Sequence, residues 1–259
     1  MKIKIIYYVH GTLSNKNIDC SIAGLKRSLQ FLSQKSLFHT GVWSPPDLVL
    51  CNSGFDGGYS EDGILDCVKE LCGEHLGDIS SVTMPPSKSV AVDIQRQIDQ
   101  IDGADWYLCL KADFVIPELF LTHMYEYAEG FTGREVFVNV AKFDLREHVS
   151  NASLNDLLSF SLWSQVADLS HGCEHYNVPD WGDKCWYVGY RGIDGCMHFY
   201  SDQARGKLKF PHFTNQETWD ANAARGVEMI CGYDRFFAFH VWHDIPRPDP
   251  KKAKVGHRF

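Results

Sequence analysis

Apolar and polar positions over the first 115 residues alternate between short dense runs and longer periodic ones. Ile3 to Val9 is a β-branched and aromatic run that breaks at His10-Gly11-Thr12, which predicts a first strand. Ile22, Leu25, Leu29 and Leu32 then recur at the three- and four-residue spacing of a helix face. Pro45-Pro46 punctuates the return, Asp47 to Cys51 predicts a second strand, and a glycine-rich turn runs from Asn52 to Gly58. Ile64, Leu65, Val68, Leu71 and Cys72 supply a second helical face. A third strand is expected at Ile79 to Met84, closed by Pro85-Pro86. Val90, Ile94, Ile98 and Ile101 lie on one face of a third helix, with Gly103 suited to its stop. Trp106 to Leu110 is dense enough for a strand buried on both faces, and it ends in Lys111-Ala112-Asp113 ahead of Pro117. Strands alternating with helices of these lengths predict a βαβ series, an α/β fold with a parallel sheet.

The second half is less regular. Leu119 to Ala128 reads as a helix and Glu135 to Phe143 as a strand. Ser153 to Asp156 resembles a capping box and opens a helix through Leu157, Leu158 and Leu162. Residues 171 to 200 are dense in Gly, Cys, Trp, Tyr and His, with a strand-like stretch only at Cys185 to Arg191. Thr214 to Glu217 is a better capping box, starting a helix expected to end near Gly232. Phe236 to Trp242 reads as the last strand, before a Pro-rich, basic tail. One domain is expected over 1–259, with a first half to 115, a second half from 116 to 245 and a tail from 246 to 259.

Composition narrows the classes. The net charge of −8 over 259 residues argues against general binding of nucleic-acid phosphates. Nine scattered cysteines without CxxC spacing make a disulfide framework improbable, and a reducing, cytoplasmic setting fits them. No apolar run approaches the ~20 residues that a membrane helix needs. The seven-residue apolar run near the N-terminus lacks a small-residue cleavage site, so it reads as a strand and not a signal peptide. Oligomeric state is not legible.

Asp113 is the first candidate for chemistry. An acid just past a buried strand sits where open α/β sheets bind ligands, although a turn carboxylate capping the next helix would look the same. The order of elements, the turn Cys51-Asn52-Ser53-Gly54-Phe55-Asp56-Gly57 and the Lys111-Ala112-Asp113 tripeptide together resemble the nucleotide-sugar-binding half of GT-A fold glycosyltransferases, especially family-2-like enzymes. The resemblance covers about residues 1 to 120. It implies a Rossmann-type, mostly parallel central sheet flanked by helices and a less regular acceptor side. It also implies a nucleotide diphosphate sugar as donor and a glycan or glycoconjugate hydroxyl as acceptor. In that family the second strand commonly ends in a turn led by two aspartates, where this chain has Cys51 and Asn52. The fourth strand ends in Asp-X-Asp, which holds a divalent metal on the donor diphosphate, where this chain has Lys111 and Asp113.

The resemblance assigns roles. Asp113 would bind Mn²⁺ or Mg²⁺, with His240, or the later His243, completing the shell. Lys111 is the alternative: a fixed positive charge near the diphosphate that replaces or supplements the metal. His10, Gly11, Thr12, Asn52 and Asp56 lie where the family contacts the nucleotide. An inverting enzyme would also need a base for the acceptor hydroxyl. Asp180 and Asp183, flanked by Trp181 and Trp186, are the first candidates, with Asp194, Glu228 and Asp234 behind them. His171, Cys173 and His175, with Cys185 or Cys196, form either a zinc site or an ordinary loop. Two alternatives stand beside this reading. One is a catalytically silent nucleotide- or sugar-binding protein of the same fold. The other is an α/β-hydrolase using His10-Gly11 as an oxyanion segment, although the chain has no G-x-S-x-G elbow.

Overall fold

The computed structural model describes residues 1–10, 13, 15–34, 43–54, 59–85, 90–145, 187–211, 215–232 and 236–240. Three βα units and a fourth strand come first. They are β1 (Ile3–His10) and α1 (Asn15–Gln34), β2 (Asp47–Ser53) and α2 (Glu61–Cys72), β3 (Ile79–Thr83) and α3 (Val90–Gln100), then β4 (Trp106–Lys111). After β4 come the two-residue strand β5 (Phe114–Val115), α4 (Phe120–Gly130), β6 (Val136–Leu145) and β7 (Tyr187–Ser201). The described chain finishes with α5 (Asp202–Arg205), α6 (Asn215–Ala223), β8 (Glu228–Cys231) and β9 (Phe237–His240).

The strands join one sheet in the order β3-β2-β1-β4-β7-β6-β9-β5, with β8 pairing β6. β1 pairs in parallel with β2 and β4, and β2 with β3. β7 runs antiparallel to both β4 and β6, while β9 and β8 are parallel to β6. The mostly parallel α/β sheet expected from the alternating pattern is therefore what forms.

Strand alternation sorts side chains to two cores. Ile3, Ile5, Tyr7 and Val9 of β1 and Leu108 and Leu110 of β4 pack with Ile18, Ile22, Leu25, Leu29 and Leu32 of α1, and with apolar residues of α2 and α4. Ile6, Tyr8, Val49, Cys51 and Tyr107 face the other way, onto Ala91, Ile94 and Ile98 of α3. The 3-4-3 spacing from Ile22 to Leu32 is thus part of the buried stripe of α1, which the structure extends back to Ile18. Burying one such side chain fully contributes about 1.5–3 kcal/mol, so these stripes hold the helices to the sheet. α2 is also fixed at its start, where Gly63 N donates to Ser60 Oγ at 3.0 Å.

Two expectations change. The helix expected to run to Gly232 stops at Ala223, and β8 occupies Glu228–Cys231. Gly226 sets the stop: its φ is +82°, and Gly226 N and Val227 N donate to the carbonyls of Ala223 and Asn222. β7 is a 15-residue strand, far longer than the strand-like stretch read at Cys185 to Arg191. The helix expected from residue 153 lies outside the described residues. No helix among the described residues is long and apolar enough to cross a membrane.

Candidate active site

From β1 the chain steps outward to β2 and β3, then crosses back to lay β4 on the other side of β1. Strand order therefore reverses between β1 and β4, and open α/β sheets bind ligands in the crevice beyond the carboxyl ends of such a pair. His10 ends β1 and Lys111 ends β4. Ala112 N donates to Tyr8 O at 2.9 Å, which carries the β1–β4 pairing up to the turn that holds Asp113. Two antiparallel steps, β4 to β7 and β7 to β6, followed by the parallel β6–β9 pair, give β9 the direction of β4. Its last residue, His240, consequently reaches the same edge. β5 then pairs Phe114 with His240, which sets the histidine beside the residue that follows Asp113.

Four side chains meet there. Asp113 is fully buried, and its Oδ2 accepts from Lys111 Nζ at 2.9 Å. His240 Nε2 lies 3.1 Å from the same oxygen, and His10 Nε2 lies 3.9 Å away. The Lys111 and His240 side chains keep 14% and 13% of their surface exposed, so the cluster opens to solvent on their side. The Phe114 ring lies 5.1 Å from the His240 ring and 5.8 Å from Lys111 Nζ, centroid distances in the range of aromatic and cation–π contact. A carboxylate out of water is tolerated only with such partners, because its desolvation costs several kcal/mol.

The neighbouring ends of β2 and β3 are tied together by Glu61, in the first turn of α2. Its carboxylate accepts from Asn52 Nδ2 at 3.3 Å and from Thr83 Oγ1 at 3.0 Å. Sequence reasoning found Asn52 but not Glu61 or Thr83; the available signal was an acid in the helix turn directly after the glycine-rich segment. Beneath the crevice, burial pushes the Cys109 thiol up to about 12, only partly opposed by the positive charge of Lys111. Burial raises the Cys51 thiol as well. Burial thus favours the protonated thiol over the thiolate at both positions.

The remaining candidates are dispersed. Glu228 begins β8 at the sheet edge opposite His240 and pairs with Arg134. Asp194 and Cys196 lie within β7. Gly11, Thr12, Asp56, His171, Cys173, His175, Asp180, Trp181, Asp183, Cys185, Trp186, Asp234 and His243 lie outside the described residues.

The cluster can be tested against a divalent cation by its donors. Among the described residues Asp113 is its one carboxylate, and no group of three or more His, Cys, Asp or Glu side chains able to hold a metal ion occurs. A cation bound to Asp113 Oδ2 at about 2.1 Å would lie within about 5 Å of the Lys111 ammonium. At an effective dielectric constant of about 20, that is about 7 kcal/mol of repulsion, where a carboxylate at position 111 would attract by as much. The described residues do not suit a divalent ion.

No protein-family model matches the chain, and no curated protein matches it by sequence. Solved structures do. TarS residues 1–349 from S. aureus align with 93% of this chain at a TM-score of 0.50 and 11% identity. The chain has the GT-A fold. It spans 60% of the length of that TarS structure, and at this identity the likeness is one of fold. Glucosyl-3-phosphoglycerate synthase from Mycobacterium tuberculosis, in complex with Mn²⁺ and UDP-glucose, aligns over 94% of this chain and 72% of its own. Its identity is 12% and its TM-score 0.42. TarS 1–349 in complex with UDP-GlcNAc aligns over 55% of this chain and 35% of its own, with 13% identity and a TM-score of 0.37. These two superpose more loosely and are not needed for the assignment. The GT-A fold leaves the α/β-hydrolase alternative without its scaffold.

Proposed function

We propose that this chain is a glycosyltransferase that takes its sugar from a nucleotide diphosphate donor bound in the crevice between β1 and β4. The observation that carries the reading is the Lys111-Asp113-His240-His10 cluster at the carboxyl edge, where strand order reverses. The nucleotide would lie across the ends of β1, β2 and β3, against His10, Gly11, Thr12, Asn52 and Asp56. The amide of Asn52 offers donors and an acceptor to a base or ribose, and Glu61 would fix its orientation. The diphosphate would face Lys111, and Asp113 with His240 would hold that ammonium in place.

In the transfer, the bond from the anomeric carbon to the phosphate oxygen breaks and a bond to the acceptor oxygen forms. The nucleoside diphosphate leaves with the bonding electron pair, and Lys111 offsets its growing charge. With inversion, a carboxylate takes the acceptor hydroxyl proton, and Asp180 and Asp183 are the proposed candidates. The acceptor would be a hydroxyl of a glycan or glycoconjugate. The test is isothermal titration of the chain with UDP, GDP and CDP, repeated with Asn52→Ala. Saturable binding of one nucleotide, weakened by about tenfold or more in the variant, supports the reading; no binding of any of the three overturns it. Binding without release of nucleoside diphosphate from any donor would favour a silent binder on the same fold.

A further inference from the structure

We infer that the Lys111 ammonium is the cation of the diphosphate site, so that the donor binds without a divalent metal. The inference rests on the donor-site reading above and concerns what neutralises the diphosphate there. Three observations lead to it. First, the positive charge is built in: Lys111 Nζ is 2.9 Å from Asp113 Oδ2, and Asp113 is wholly buried. A buried carboxylate fixes an ammonium far better than an exposed one does, because it cannot exchange its partner for water without penalty. The ammonium is thus placed before the ligand arrives, and a placed charge spends little on reorganisation.

Second, the Lys111 side chain is not sealed off from solvent. It is partly exposed at the end of β4, and the Phe114 ring 5.8 Å from Nζ lines one side of it. Third, among the described residues the cluster lacks the negative excess of a cation site, because its one carboxylate is already paired with an ammonium. Besides Lys111, two imidazoles lie near the same Asp113 oxygen, His240 at 3.1 Å and His10 at 3.9 Å. A cation site needs that excess, oxygen ligands of negative charge around an open position. Asp113 therefore acts as a positioning residue for Lys111, and His240 braces the same oxygen.

The test compares UDP, GDP and CDP binding to the full chain in EDTA with binding in excess Mn²⁺ and in excess Mg²⁺. For the nucleotide that binds, the expected dissociation constants agree within about threefold. Binding that needs a metal, or tightens by more than about tenfold with one, overturns the inference while leaving the donor site standing. Failure of all three nucleotides in every buffer overturns both. Lys111→Asp is expected to weaken binding in EDTA by about tenfold or more and to recover part of it with Mn²⁺, acquiring a metal dependence the parent lacks. Lys111→Gln should lose affinity for the nucleoside diphosphate but not for the nucleoside. Equal loss for both, with an unchanged circular dichroism spectrum, would contradict a role at the diphosphate. The comparison of buffers on the unaltered chain decides the matter even where a variant fails to fold.

Discussion

Removing the Lys111 side chain charge tests the cluster independently of any ligand. At 2.9 Å and an effective dielectric constant of about 20, the Lys111–Asp113 attraction is about 6 kcal/mol before desolvation. Most of that offsets the cost of burying Asp113, so the pair contributes little net stability, yet breaking it is expensive. Lys111→Met leaves a wholly buried carboxylate without its ammonium and should cost about 3–5 kcal/mol. Asp113→Asn should cost less, about 2–3 kcal/mol, since Lys111 keeps a path to solvent. The double variant removes both charges and should cost about 2–4 kcal/mol, so the cycle yields a coupling of about 3 kcal/mol. Urea unfolding of the four proteins, at equal slopes, reads the cycle directly. Additive single costs, with coupling below about 0.5 kcal/mol, would refute the claim that Lys111 is what Asp113 is held by.

Three further outcomes follow from other parts of the fold. A Cβ on Gly24 of α1 would stand 2.7 Å from Val115 Cγ1, so Gly24→Ala should destabilise by about 1–3 kcal/mol of overpacking, less up to about 1 kcal/mol of gained helix propensity. A raised melting temperature would contradict that packing. Ser60→Ala removes the cap that accepts from Gly63 N and should cost about 1 kcal/mol in urea unfolding, whereas an unchanged midpoint would deny the cap. Burial pushes the thiols of Cys72 and Cys109 and the phenol of Tyr107 up to about 12, from 9.0, 9.0 and 10.0. Between those limits the unfolded chain has released protons that the folded chain retains. Stability, whole below about pH 9, should therefore fall as pH rises toward 12, by up to about 1.4 kcal/mol per pH unit for each group. A flat urea midpoint from pH 8 to 11 would contradict this.

The first half was legible because its elements obey one period each. The helix stripes at Ile22 to Leu32 and Ile94 to Ile101 and the dense strand at Trp106 to Leu110 all became core. The second half hid its order for physical reasons. β7 carries Gly189, Gly192 and Gly195, and its pairing with β6 shifts register more than once, so no two-residue alternation survives. β8 was absorbed into the preceding helix because Gly226 was not read as a stop. Asp113 and His240 could each be picked from sequence, but their contact is made by β5, a strand of two residues that no periodicity reveals. The role of Glu61 depends on β2 and β3 ending side by side, which only the sheet order supplies.

A nucleotide diphosphate bound across the carboxyl ends of β1 and β4 would set its phosphates against Lys111. A crystal structure of the chain grown with the nucleotide that titrates, in EDTA, tests this most directly. The expected result is a phosphate oxygen within hydrogen-bond distance of Lys111 Nζ and the nucleoside against Asn52. A nucleotide bound elsewhere, or one whose phosphates leave Lys111 untouched, would contradict it.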